Sequence, residues 1–193
     1  LSISDINQIK QIASKNNIPI HLDGARIFNA AIALENTVEE LTKDVDSVQF
    51  CLSKGLGAPV GSLVLGEKDF TQKVRKWRKT IGGTTRQAGI LAAAGIVALN
   101  NYEESIKRDH DLAKYMHEKL SEIENITPEP VETNLVFFNI NADNPGEIST
   151  KLKEKGINPD VFTKGETETK EWITQKMIED TTTDVVKKEG KKL

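Results

Sequence analysis

A short apolar run, Ser47 to Ser53, stops abruptly at Lys54 in front of a turn that contains Gly55, Gly57 and Gly61. Its length and its mix of β-branched and aromatic residues suit a buried strand, and the glycines suit a turn that needs unusual backbone angles. Upstream, Ser4-Asp5 precedes Ile6, Ile9, Ile12 and Ala13, which recur at helical spacing. That pattern predicts a capped amphipathic helix ending near Asn16-Asn17, with Ile18 to Leu22 following as a strand. A second helical segment over Ala30 to Leu41 would separate the two strands, so the order of elements implies an α/β layer.

Beyond the glycine turn, Ser62 to Leu65 reads as a further strand. Helices are expected over Asp69 to Lys79, Gln87 to Asn100 and Tyr102 to Ile123, the last with Ile106, Leu112, Met116 and Leu120 on an apolar face. The pattern changes after Thr127-Pro128-Glu129-Pro130. Thr133 to Ile140 is expected as a strand, Pro145 to Lys155 as a helix with proline in its first turn, and about Thr174 to Lys188 as a last helix. These features divide the chain into a larger domain over 1–124 and a smaller α+β domain over 125–193.

Charge and composition narrow the function classes. A net charge of −3 with interspersed signs offers no basic face for nucleic acid, and the four cations between Arg75 and Lys79 are too few to change that. The longest nearly unbroken apolar run, Gly89 to Leu99, is about half of what a membrane span requires. The single cysteine, Cys51, excludes an internal disulfide framework and a cysteine-built zinc site, which fits a reducing, cytoplasmic setting. His110 and His117 stand among Asp109, Asp111 and Glu118 on a helix, a setting that reads as a solvated face, and no metal site is expected. The chain opens Leu-Ser-Ile without an initiator Met, from which an absent N-terminal region is expected.

Chemistry concentrates in two segments at the expected carboxyl ends of neighbouring strands: His21-Leu22-Asp23-Gly24-Ala25-Arg26 and Ser53-Lys54-Gly55. That edge of an open α/β sheet is where ligands bind. A lysine there could form a Schiff base, an aspartate could pair with a pyridinium nitrogen, and an arginine could hold a carboxylate or a phenolic oxygen. A dinucleotide site is the alternative reading of the glycines, but their spacing is one residue too long and Pro59 interrupts it. Asp23 could equally cap a helix starting at Gly24 or Ala25, Arg26 could be a surface ion-pair partner, and His21 could either tune Asp23 or simply pack.

Taken together, these segments resemble the threonine aldolases, members of the aspartate-aminotransferase-like (fold type I) group of pyridoxal-phosphate (PLP) enzymes. The resemblance continues through Trp77 to Gly95, where Gly82-Gly83-Thr84-Thr85-Arg86-Gln87-Ala88-Gly89 stands in place of the family's Gly-Gly-Gly-Met-Arg-Gln-Ala-Gly, and reaches Glu132 to Phe138. It implies that the chain is part of the PLP-dependent transferase large domain followed by a small C-terminal domain. It further implies that Lys54 carries PLP, Asp23 pairs with its pyridine nitrogen, Arg26 binds substrate carboxylate or a cofactor oxygen, and Arg86 helps hold the phosphate. The implied substrates are β-hydroxy-α-amino acids, with L-threonine or L-allo-threonine cleaved to glycine and acetaldehyde by a homodimer or homotetramer.

Two departures from the family pattern stand out. Aligned on Trp172, the family's carboxylate-binding arginine is replaced by Glu166, and the N-terminal half that cradles the cofactor phosphate is not in this sequence. Both weaken the expectation of activity. They leave two alternatives, another fold type I reaction (β-elimination or transamination) and a noncatalytic remnant.

Overall fold

In the computed structural model, which describes residues 2–141 and 145–157, helix α1 (Ile3–Lys15) is capped by Ser2. The Ser2 hydroxyl accepts from the Asp5 backbone N–H at 3.2 Å, and the Asp5 carboxylate accepts from the Ser2 N–H at 2.7 Å. This reciprocal box satisfies N–H groups that the first helical turn cannot pair internally. Ile6 and Ala13 are buried, whereas Ile9 and Ile12 of the expected apolar face are exposed.

The first strand, β1, is His21–Asp23, shorter and later than the expected Ile18 to Leu22. Asp46 explains the shift: its carboxylate accepts from the Ile20 N–H at 2.7 Å, while the Ile20 carbonyl takes the Asp46 and Ser47 N–H groups. Between β1 and β2 (Ser47–Cys51) the single expected helix is two, α2 (Ile27–Ala33) and α3 (Val38–Thr42). Glu35 adopts φ 54°, which ends α2, and a Thr37–Glu40 capping box starts α3 afresh.

Strand β2 pairs in parallel with β1, His21 opposite Ser47 and Asp23 opposite Gln49. It pairs antiparallel with β3 (Ser62–Gly66), which completes a three-stranded sheet in the order β1-β2-β3. Three helices follow, α4 (Lys68–Thr80), α5 (Gly89–Asn100) and α6 (Tyr102–Ser121). Two short antiparallel strands come next, β4 (Ile126–Pro128), which no sequence signal announced, and β5 (Phe138–Ile140). Only the last three residues of the expected strand over Thr133 to Ile140 enter the ladder.

Two apolar clusters anchor the sheet. Ile27, Ala31 and Leu41 pack with Leu22 and Val48, and Leu52, Leu56 and Ala58 pack with Ala98, Leu99 and Tyr102. Phe28 and Phe50 belong to the margins of both. The Phe28 ring meets Phe50 edge-on at 5.2 Å and Tyr102 at 4.8 Å, contacts each worth about 0.5–1.5 kcal/mol beyond burial. Because Leu56 and Ala58 are core residues, the glycine-rich turn after β2 is tied down on its apolar side.

The chain divides into two compact units, Leu1–Ile140 and Asn141–Leu193. In the second, helix α7 spans Pro145–Glu154, and a Lys151–Glu147 ion pair at 2.7 Å bridges one turn of it. Glu166 and the helix expected over Thr174 to Lys188 lie outside the described residues. No helix among the described residues is long and apolar enough to cross a membrane.

Candidate functional site

Asp23 ends β1, and Lys54 lies three residues past the end of β2, so both stand at the carboxyl edge of the parallel pair. The turn between Asp23 and α2 is made tight by Gly24, whose N–H donates to the Gln49 carbonyl at 2.8 Å. A Cβ on residue 24 would sit 2.9 Å from that same oxygen, so only glycine lets the chain leave β1 this close to β2. Asp23 does not cap a helix. Its Oδ1 accepts from the Ala25 N–H at 3.1 Å and from the side-chain amide of Gln49, its register partner across the sheet. No partner is recorded for Oδ2 among the described residues, and the carboxylate is exposed.

Lys54 is exposed in the turn, with its carbonyl accepting from the Gly57 N–H at 2.9 Å. The Leu52 N–H donates to the Gly61 carbonyl at 2.8 Å and closes the turn at its base. The Lys54 ammonium has no hydrogen bond or ion pair among the described residues. Arg26, half-buried at the start of α2, donates from Nη1 to Asn134 Oδ1 at 3.1 Å rather than to a surface carboxylate. Arg86 is exposed just ahead of α5, and among the described residues no hydrogen bond or ion pair joins it to Asp23, Arg26 or Lys54.

His21 is bonded to Ser47 Oγ through Nδ1 at 2.8 Å, with no bond to Asp23 among the described residues. His110 is not solvated: it is 5% exposed, and Asn29 Nδ2 lies 3.2 Å from its Nε2. Burial holds its pKa below the usual histidine range, aided by Lys114 and opposed by Asp109 and Asp111. The sequence carried a faint signal for this group. Asn29 is the one polar residue within Ile27–Ala33, and His110 falls on the buried stripe of Ile106 and Ala113.

The residues present suit PLP. An acidic acceptor, an unpaired primary amine and a planar guanidinium share the edge of an α/β sheet where cofactors of this kind are held. A cleft of about 1270 Å³ lies elsewhere, lined by Phe28, Tyr102, Lys107, His110 and Lys114 among others. None of Asp23, Arg26, Lys54 or Arg86 lines it, so the strand ends and not this cleft carry the candidate chemistry.

The fold is α/β, of the aspartate-aminotransferase-like class. A Listeria monocytogenes EGD-E structure provisionally named an L-allo-threonine aldolase has the same fold, with a TM-score of 0.72 at 23% identity over 83% of this chain and 46% of that one. The family model described as beta-eliminating lyase matches residues 1–143, and the chain belongs to that family. Low-specificity L-threonine aldolase 1 of Arabidopsis thaliana is 41% identical over 162 residues, 81% of this chain and 45% of the relative. The low specificity L-threonine aldolase of Escherichia coli (strain K12) is also 41% identical, over 76% of this chain and 44% of its own length. This chain thus spans less than half the length of these relatives.

Proposed function

We propose that this chain supplies the lysine-bearing part of a PLP-dependent aldehyde-lyase that cleaves L-threonine or L-allo-threonine to glycine and acetaldehyde. The observation that carries the reading is that Asp23 ends β1 and Lys54 follows the end of the adjacent parallel strand β2 by three residues, in a chain whose 41%-identical relatives bear the threonine aldolase name.

When bound, PLP supplies a conjugated ring able to take up the electron pair left by Cα–Cβ cleavage. Lys54 Nζ is the amine that would hold the cofactor through its aldehyde carbon. Asp23 Oδ2 would accept from the ring N–H of the bound cofactor, while Ala25 and Gln49 keep the carboxylate oriented through Oδ1. The Arg26 guanidinium, steadied by Asn134, presents its remaining N–H groups to the substrate carboxylate or the ring oxygen. Arg86 contributes to phosphate binding from beyond this cluster, in keeping with a pocket completed within a homodimer or homotetramer. From the change in sequence pattern we place the start of the smaller domain near residue 125, upstream of the boundary between the two compact units after Ile140, and the working compartment in the cytoplasm.

The reading is tested by adding PLP, trapping with borohydride and mapping the modified peptide. The expected label is on Lys54, lost in Lys54→Ala together with turnover, and the expected products from threonine are glycine and acetaldehyde. An unchanged rate in Lys54→Ala contradicts the assignment. Release of 2-oxobutyrate and ammonia instead of glycine and acetaldehyde moves the reaction to β-elimination.

A further inference from the structure

Asn29 is 1% exposed, and its amide nitrogen lies 3.2 Å from His110 Nε2 and 3.3 Å from Asn134 Oδ1. Two hydrogens on one nitrogen can serve both acceptors only if Nε2 is unprotonated, which puts the imidazole proton on Nδ1. Asn134 Oδ1 also receives Arg26 Nη1 at 3.1 Å, so one oxygen joins the buried amide to the guanidinium at the ligand edge. On its other side Asn29 presses on the turn after β2, where its Oδ1 lies 2.4 Å from the position a Cβ on Gly55 would take. Three polar side chains from α2, α6 and the segment before β5 are therefore spent, inside the protein, on the two places that carry Arg26 and Lys54.

We propose that Asn29, His110 and Asn134 are positioning residues, a hydrogen-bonded chain, buried at Asn29 and His110 and half-buried at Asn134, that fixes the Arg26 guanidinium and the Lys54–Gly55 backbone relative to each other before ligand binds. Apolar residues of similar volume would fill the same space without the desolvation of polar groups. What the polar set adds is direction, because each bond restricts the next group and the last one is Arg26. The value of that restriction rests on the functional reading above; its geometry does not.

The test is a double-mutant cycle read by spectroscopic titration of PLP into the apoprotein. Asn134→Leu removes the shared acceptor, Asn134→Asp keeps it, and His110→Gln keeps an acceptor that His110→Phe lacks. Asn134→Leu is expected to weaken PLP binding about tenfold in the native background, the loss of one hydrogen bond to a charged group. In an Arg26→Ala background the same change is expected to stay within about twofold. Asn134→Asp and His110→Gln should restore most of the affinity lost in Asn134→Leu and His110→Phe. Equal losses in both backgrounds overturn the proposal. A second readout uses the apoprotein alone, the ¹H–¹⁵N correlation of the His110 ring at neutral pH. A proton on Nε2 overturns the network whatever PLP does. If the native protein takes up no PLP, the functional reading fails separately. The network then stands only if His110 carries its proton on Nδ1 and the Arg26 guanidinium signals shift in Asn134→Leu.

Discussion

Alanine at position 55 would place a methyl carbon 2.4 Å from Asn29 Oδ1, roughly 1 Å inside ordinary van der Waals contact. All three of its nearest neighbours are atoms of Asn29, the others at 3.2 and 3.3 Å. A free side chain would swing aside, but Asn29 is held by His110 and Asn134. Giving up those bonds leaves buried polar groups unpaired at about 1–3 kcal/mol, and overpacking costs about 1–3 kcal/mol more. Gly55→Ala is therefore expected to destabilise the protein by roughly 2–6 kcal/mol and to lower Tm by on the order of 10 °C. Urea denaturation measures it as a fall in midpoint at constant slope. Gly57→Ala is the control for backbone strain, since Gly57 has φ 77° and nothing within 4 Å of its Cβ position. In an Asn29→Ala background the added cost of Gly55→Ala should drop to about 0.5 kcal/mol or less. An undiminished cost there would refute the clash as the cause.

Two further outcomes are expected. Because burial lowers the His110 pKa, the native state prefers the neutral ring that accepts from Asn29, while the unfolded chain takes up a proton below about pH 6.5. Stability should thus fall as pH drops from about 6.5 toward the lower native value and level off beneath it, and His110→Gln should flatten that part of a denaturation-versus-pH series. Phe28→Ala removes the edge-on contacts to Phe50 and Tyr102 and is expected to cost about 3 kcal/mol, read as a shift in the urea midpoint. A cost below about 1 kcal/mol would show that the two clusters do not depend on this ring.

Much of the frame was legible because it is written locally. The strand Ser47–Cys51 and the helix Tyr102–Ser121 stand where their own runs of residues put them, although Leu112 and Met116 of the expected apolar face are exposed and Ile106, His110 and Ala113 form the buried one. Two side chains changed the rest. The Asp46 carboxylate holds Ile20 from 26 residues away and delays β1, whereas the Thr37–Glu40 box that splits one helix into two is local, a Thr-x-x-Glu pattern that the apolar run around it masked. At the site, Asp23, Arg26 and Lys54 were readable from their places beside glycines and strand ends. Asn29, His110 and Asn134 were not, since they meet only across 81 and 105 residues of chain. A polar residue inside an apolar stripe was the available hint, and the acidic neighbours of His110 pointed instead to solvent.

The same separations set an order of assembly. Cys51 pairs with Ser62, so the antiparallel ladder that frames the Lys54 turn closes a short loop and can form early. The parallel pairing of Asp23 with Gln49 waits for the two intervening helices. The bond from Arg26 to Asn134 spans 108 residues and must wait for nearly the whole first unit to be synthesised. The amine is thus framed by near neighbours as soon as they leave the ribosome, and the guanidinium is steadied last, so the site matures only when the unit that houses it is essentially complete.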